Sequence, residues 1–114
     1  MMKGTMKENL SMIMTDDVKE AAAAIKSVLR KSYFKIGYYT CGYDVDTYEI
    51  LFFFPIEKVY ALDYGRYQFV VELTNAWKAA GYKIVETGDI PKYEYRRVGF
   101  ASKYFRLKKV YYEV

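Results

Sequence analysis

The spacing of apolar positions changes several times along the chain, and each change marks an element. After a polar, aperiodic stretch over residues 1–8, read as a flexible terminus, Leu10, Met12 and Met14 alternate with Ser11 and Ile13. That alternation predicts a short first strand or an ordered lead-in. Thr15, Asp16 and Asp17 then offer capping oxygens and negative charge at a helix start, with Asp17 and Glu20 at capping-box spacing. Val18, Ala21, Ala22, Ile25, Val28 and Leu29 follow at helical intervals, and Arg30 and Lys31 suit a last turn. The alanines at 21–24 predict a close approach to a sheet, because small side chains let a helix lie near its neighbour.

From Tyr33 the period shortens to two. Phe34, Ile36, Tyr38 and Thr40 fall on one face of a strand ending at Cys41, with Tyr33, Lys35 and Tyr39 on the other. Gly42 to Asp46 carries turn chemistry, and Thr47 to Phe54 reads as the returning strand of a hairpin. Near its end that strand is apolar on both faces, through Ile50, Phe52 and Phe54 and through Leu51 and Phe53, which predicts a central strand covered on both sides. Pro55 ends it. A second helix is expected from near Asp63, with Tyr67, Val70, Leu73, Thr74, Trp77 and Ala80 on its inward stripe and Gly81 as a left-handed stop. Tyr82 to Thr87 predicts a strand, Gly88-Asp89 a turn, and Tyr93 to Phe100 another strand. Lys103 to Val114 reads as extended.

With the first strand counted, residues 9–87 spell β-α-β-β-α-β, the order of the ferredoxin-like fold, plus C-terminal strands. Without it, the chain spells two α-β-β units, at 15–54 and 63–100. Either order is an α+β class fold over residues 9–114: a single, mainly antiparallel sheet with two helices on one face. At 114 residues, 53% of them hydrophobic, the chain suffices for one domain with its own core.

Composition removes several chemistries. Histidine is absent, which takes away the commonest general base and metal ligand. Cys41 is the only cysteine, so the chain can close neither an internal disulfide nor a thiolate zinc site. Asp44, Asp46 and Glu49 cluster at the hairpin turn, but glycine and glutamate are missing from the places a calcium loop requires, and solvated turn carboxylates are expected. The glycines are dispersed, without a phosphate-binding loop. No catalytic residue, metal or cofactor is therefore expected. Trp77 and Tyr67 are read as core anchors. The longest apolar run, Ile50 to Ile56, is far shorter than the roughly 20 residues of a membrane-spanning helix, and no secretory signal is evident, so a cytoplasmic location off the membrane is expected.

Charge singles out the C-terminal fifth. Residues 1–91 hold eleven Lys/Arg against twelve Asp/Glu, whereas residues 92–114 hold seven against two. In that last segment Lys92, Arg96, Arg97, Lys103, Arg106, Lys108 and Lys109 interleave with Tyr93, Tyr95, Phe100, Tyr104, Phe105, Tyr111 and Tyr112. Cations neutralise phosphates and aromatic faces stack on bases, so this mixture suits single-stranded nucleic acid. Gly99-Phe100-Ala101 followed by Phe105 superficially resembles the RNP1 signature of RNA-recognition motifs, but Ser102 and Lys103 stand where an aromatic and an aliphatic residue belong, and the segment falls on a late strand instead of the third. The competing expectation is an amphipathic edge strand, with tyrosines on the core and lysines guarding the edge.

The expected function is a non-enzymatic binding module whose C-terminal surface engages a protein or nucleoprotein partner, with direct nucleic-acid binding as the alternative and homo-oligomerisation compatible with both. In composition the chain resembles accessory proteins of phages and mobile elements, including inhibitors of CRISPR and restriction systems.

Overall fold

A computed structural model of the chain describes residues 13–31, 33–62, 65–92 and 98–111. The elements run α1 (Asp16–Ala24), α2 (Lys26–Leu29), β1 (Thr40–Asp44), β2 (Glu49–Pro55), α3 (Ile56–Tyr60), α4 (Arg66–Ala79), β3 (Tyr82–Ile90) and β4 (Ser102–Lys109). The four strands form one antiparallel sheet in the order β1-β2-β4-β3. Among the described residues the order is thus two α-β-β units joined where β2 pairs with β4. Ile13 makes only an isolated bridge to Tyr43 on the outer edge of β1, and the rest of the expected first strand lies outside the described residues.

The first helix begins where its capping chemistry says it should, but Thr15 is the cap. Its hydroxyl accepts from the Val18 amide at 3.2 Å, leaving Glu20 for a tertiary bond. The expected single helix is broken at Ile25 (φ −96°, ψ 1°) into α1 and α2. On α4 the buried stripe is Phe69, Leu73 and Trp77, four residues apart, and Tyr67 is 79% exposed. The core-anchor reading of Trp77 holds and that of Tyr67 fails, because two residues turn a side chain about 200° round a helix. Gly81 has φ +93° after the helix end, the left-handed stop its position predicted.

The aromatic run from Tyr33 is not one strand. Gly37 adopts φ +82°, and the Tyr38 amide donates back to the Ile36 carbonyl at 3.0 Å, a three-residue turn. The turn shifts the alternation by one position: Phe34 and Ile36 are buried before it, and Tyr39, Cys41 and Tyr43 pack on the core after it. Tyr38, expected beside Ile36, is 47% exposed and meets Phe100 edge to face. The turn expected at Gly88-Asp89 is also strand. Gly88 pairs with Tyr104, whose ring lies 3.1 Å from where a Cβ would stand, so glycine here marks a close approach.

All four helices contribute to one face. Val18, Ala21, Val28, Val59, Phe69, Leu73 and Trp77 pack on Ile50, Phe52 and Phe54 of β2 and on Phe105 and Leu107 of β4. The opposite face has a smaller cluster in which Leu51 and Phe53 meet Val98, with Ile90, Phe100 and Tyr104 around them. As its two apolar faces predicted, β2 is central and covered on both sides. The strand expected over Tyr93 to Phe100 is not present at 98–100, and residues 93–97 lie outside the described part.

Candidate functional site

β4 carries five of the eleven expected binding residues, and it is an interior strand between β2 and β3, not an edge. Its alternation sends Phe105 and Leu107 into the helix-side core, with Lys103 and Lys109 on the same side at the strand ends. Tyr104, Arg106 and Lys108 point to the other face. An interior strand bearing this many cations needs counter-charges from its neighbours, and these are present.

Arg106, with a side chain only 14% exposed, reaches Glu49 Oε1 at 3.0 Å, Glu86 Oε1 at 3.1 Å and Asp44 Oδ2 at 3.4 Å. Thr47 Oγ1 also accepts from it at 3.2 Å. The Lys103 ammonium lies 3.6 Å from Asp89, and that of Lys108 lies 3.7 Å from Glu49. Lys109 sits 3.3 Å from Asp17 and 3.7 Å from Glu20 on α1. The charge excess of the C-terminal segment is therefore matched, along β4, by carboxylates from the earlier chain. Tyr104 packs on Phe53 in the smaller cluster.

The described ones among the expected residues do not form one patch. Lys92 is exposed beyond β3, next to a hollow of ≈ 300 Å³ that Tyr38, Pro55 and Phe100 help to line. Lys108, Lys109 and Tyr111 gather at the other end of β4, which an eight-residue strand places about 24 Å away. Tyr93, Tyr95, Arg96 and Arg97 lie outside the described residues.

At that far end three strands align. Tyr43 pairs with Ile50, and Ile50 with Leu107, so the three side chains form a row across the helix side of the sheet. Beside the row opens a cleft of ≈ 340 Å³ with Ile50 and Leu107 as its apolar floor, walled by Tyr43, Tyr48 and Tyr111 and edged by Asp17, Lys108 and Lys109. Tyr48 is 74% and Tyr111 79% exposed. The hairpin loop sets the place of Tyr48: Asp44 Oδ1 accepts from the Asp46 amide at 3.0 Å, and the Tyr48 amide donates to the Asp44 carbonyl at 2.8 Å. Closing the loop this way holds Tyr48 at φ +60°, the left-handed region that a bulky residue seldom occupies.

The surroundings of the cleft favour the protonated forms of its side chains. Partial burial, and then the neighbouring Tyr48, Asp17, Tyr111 and Asp44, push the Tyr43 phenol above its ordinary pKa. The bond to Asp17 raises that of Lys109. A phenol held neutral and an ammonium held charged are poor proton acceptors. Burial pushes the Cys41 thiol up to about 11, away from a nucleophilic thiolate. Among the described residues no cluster of carboxylates and cysteine is arranged to hold a metal ion.

Tyr43, Tyr48 and Asp17, which line this cleft, are not among the binding residues the sequence singles out. Tyr48 carries a local signal, an aromatic in an acidic turn. The rest depends on strand register. The molecule is a small α+β domain in which an aromatic cleft stands at one end of a four-stranded antiparallel sheet. No protein-family model, curated protein or solved structure matches the chain. Among the described residues, no helix is long and apolar enough to cross a membrane.

Proposed function

We infer that the protein is a non-enzymatic binding module whose protein partner docks on the cleft walled by Tyr43, Tyr48 and Tyr111. The carrying observation is the pair of exposed tyrosines, Tyr48 and Tyr111, standing over the buried Ile50 and Leu107. Tyrosine is enriched at protein interfaces because it covers apolar surface with few rotatable bonds and retains a hydroxyl for hydrogen bonding. The ion pairing along β4 favours this reading over nucleic acid, since a phosphate chain would have to displace Asp17, Glu49 and Asp89 from the lysines it contacts.

The test is capture from nuclease-treated extract of the source cell, with the full chain as bait beside a Tyr48→Ser/Tyr111→Ser variant. A defined partner held at moderate salt by the parent and lost by the variant supports the reading. Equal capture by both, or parental capture abolished by nuclease, overturns it.

A further inference from the structure

The lysines expected to guard a sheet edge lie on β4, which is interior, and β3 is the edge beside it. Between the irregularity at Val85 and Pro91, residues Glu86 to Ile90 of that edge include neither lysine nor proline. We propose that this stretch pairs with its counterpart in a second copy of the chain, antiparallel about a two-fold axis at Gly88, joining the two four-stranded sheets into one. The alternation of the ladder identifies the spare backbone groups. In an antiparallel pair, residues that exchange hydrogen bonds alternate with residues whose amides and carbonyls point away. The Val110 amide donates to the Gly81 carbonyl at 2.7 Å on the β3 side of β4, and the Ile56 amide donates to the Ala101 carbonyl at 2.9 Å on the β2 side. Even-numbered residues of β4 therefore bond toward β3 and odd-numbered ones toward β2. Glu86, Gly88 and Ile90, opposite Arg106, Tyr104 and Ser102, are bonded inward, which leaves Thr87 and Asp89 with outward amides and carbonyls. Among the described residues no backbone bond reaches those groups from outside the sheet.

The positions of these groups select a second copy and its register. A two-fold axis at Asp89 would set two carboxylates directly opposite one another, and one at Thr87 would set the bulged Val85 against Asp89. An axis at Gly88 sets Thr87 opposite the partner's Asp89, and Asp89 opposite the partner's Thr87, each pair exchanging two backbone hydrogen bonds. Gly88 then faces its own copy in a non-bonded pair, the closest approach of two strands at about 4.5 Å between Cα atoms, where a residue without a side chain fits. No like charges are directly opposed in this register. Each acid on the edge also keeps the cation it already has, Glu86 with Arg106 at 3.1 Å and Asp89 with Lys103 at 3.6 Å. The side chains of Thr87 and Asp89 are both exposed, so nothing of the protomer has to move aside.

The experiment is sedimentation equilibrium of the full chain from about 10 μM to about 1 mM, with exchange of the Thr87 and Asp89 amides followed by NMR at both ends of the range. A monomer–dimer equilibrium is expected, with both amides protected only where the dimer forms. Thr87→Pro removes an outward amide and no backbone bond within the sheet, and it should abolish the dimer while circular dichroism stays unchanged. Thr87→Asp, set against the partner's Asp89, should weaken the dimer roughly three- to tenfold, and Thr87→Lys should strengthen it to a similar degree. A monomer at every concentration, a dimer indifferent to Thr87→Pro, or a dimer weakened by Thr87→Lys overturns the proposal. The cleft lies toward the other end of β3, where Leu107 and Lys109 pair with Ile84 and Tyr82. Tyr48→Ser/Tyr111→Ser should therefore dimerise like the parent, so that self-association and partner capture stand or fall separately.

Discussion

The indole Nε1–H of Trp77 on α4 donates to the backbone carbonyl of Ala21 on α1 at 3.0 Å, inside the core. In an unbroken helix that carbonyl would receive the amide of Ile25, four residues on. Here the Ile25 amide donates to Ala22 at 3.3 Å, so the break between α1 and α2 and the indole bond are two sides of one arrangement. Trp77→Phe keeps an aromatic ring but leaves the Ala21 carbonyl buried without its donor, and leaves a void as well. A loss of roughly 2–4 kcal/mol is expected from urea unfolding. A loss below about 1 kcal/mol would show that the carbonyl finds another partner.

Tyr48 carries a backbone cost that the fold does not need. Its ring is 74% exposed and its φ is +60°, which glycine adopts without strain. Tyr48→Gly should raise stability by about 1 kcal/mol, read as a higher thermal midpoint, while weakening partner capture. A lower midpoint would show that the ring itself holds the hairpin.

Arg106 bridges Asp44, Glu49 and Glu86 on the face of the sheet away from the helices, where Lys108 also approaches Glu49 at 3.7 Å. Arg106→Met removes it and leaves Asp44 and Glu49 close together with little water to screen them, so a loss of about 2–4 kcal/mol is expected. Adding Glu49→Gln to that variant should recover part of the loss, because it removes one of the opposed charges. If the second substitution deepens the loss, packing of the arginine stem is the larger contribution.

The Tyr82 phenol is held above its ordinary pKa by burial and by its bond to Glu20 Oε1 at 2.6 Å. A folded-state pKa raised above the unfolded value of 10.0 means that the native state binds the proton more tightly. Its stabilising effect is complete below that pH and is lost as pH rises through the folded-state value. The urea midpoint should therefore fall between pH 9 and pH 11, and Tyr82→Phe should make that fall shallower. Parallel declines in the two proteins would place the alkaline sensitivity elsewhere, on the lysines or on Cys41.

Elements with a uniform local pattern could be read directly. The cap at Thr15, the stop at Gly81, the extended β4 and the centrality of β2 follow from short-range chemistry and from counting apolar faces. Where one residue alters the phase, the reading fails. Gly37 shifts the alternation of the Tyr33–Tyr43 run, and Ile25 divides a continuous helical pattern. Tyr67 was misplaced because α4 is oriented by the stripe of Phe69, Leu73 and Trp77.

By itself, the sequence determined the α+β class, the lack of histidine and disulfide chemistry, and the concentration of cations and tyrosines toward the C-terminus. Tertiary structure decided what that concentration means. Asp17, Glu20, Asp44 and Glu49 are 57 to 92 residues away in the chain from the β4 cations they pair with. Only the order β1-β2-β4-β3, with α1 laid across it, brings them within ion-pair distance. The same register carries Tyr43 and Tyr48 to the end of β4, beside Tyr111. Charge counted along a chain is blind to such pairing, because the Coulomb interaction depends on distance in space and on local water, neither of which exists before the sheet forms.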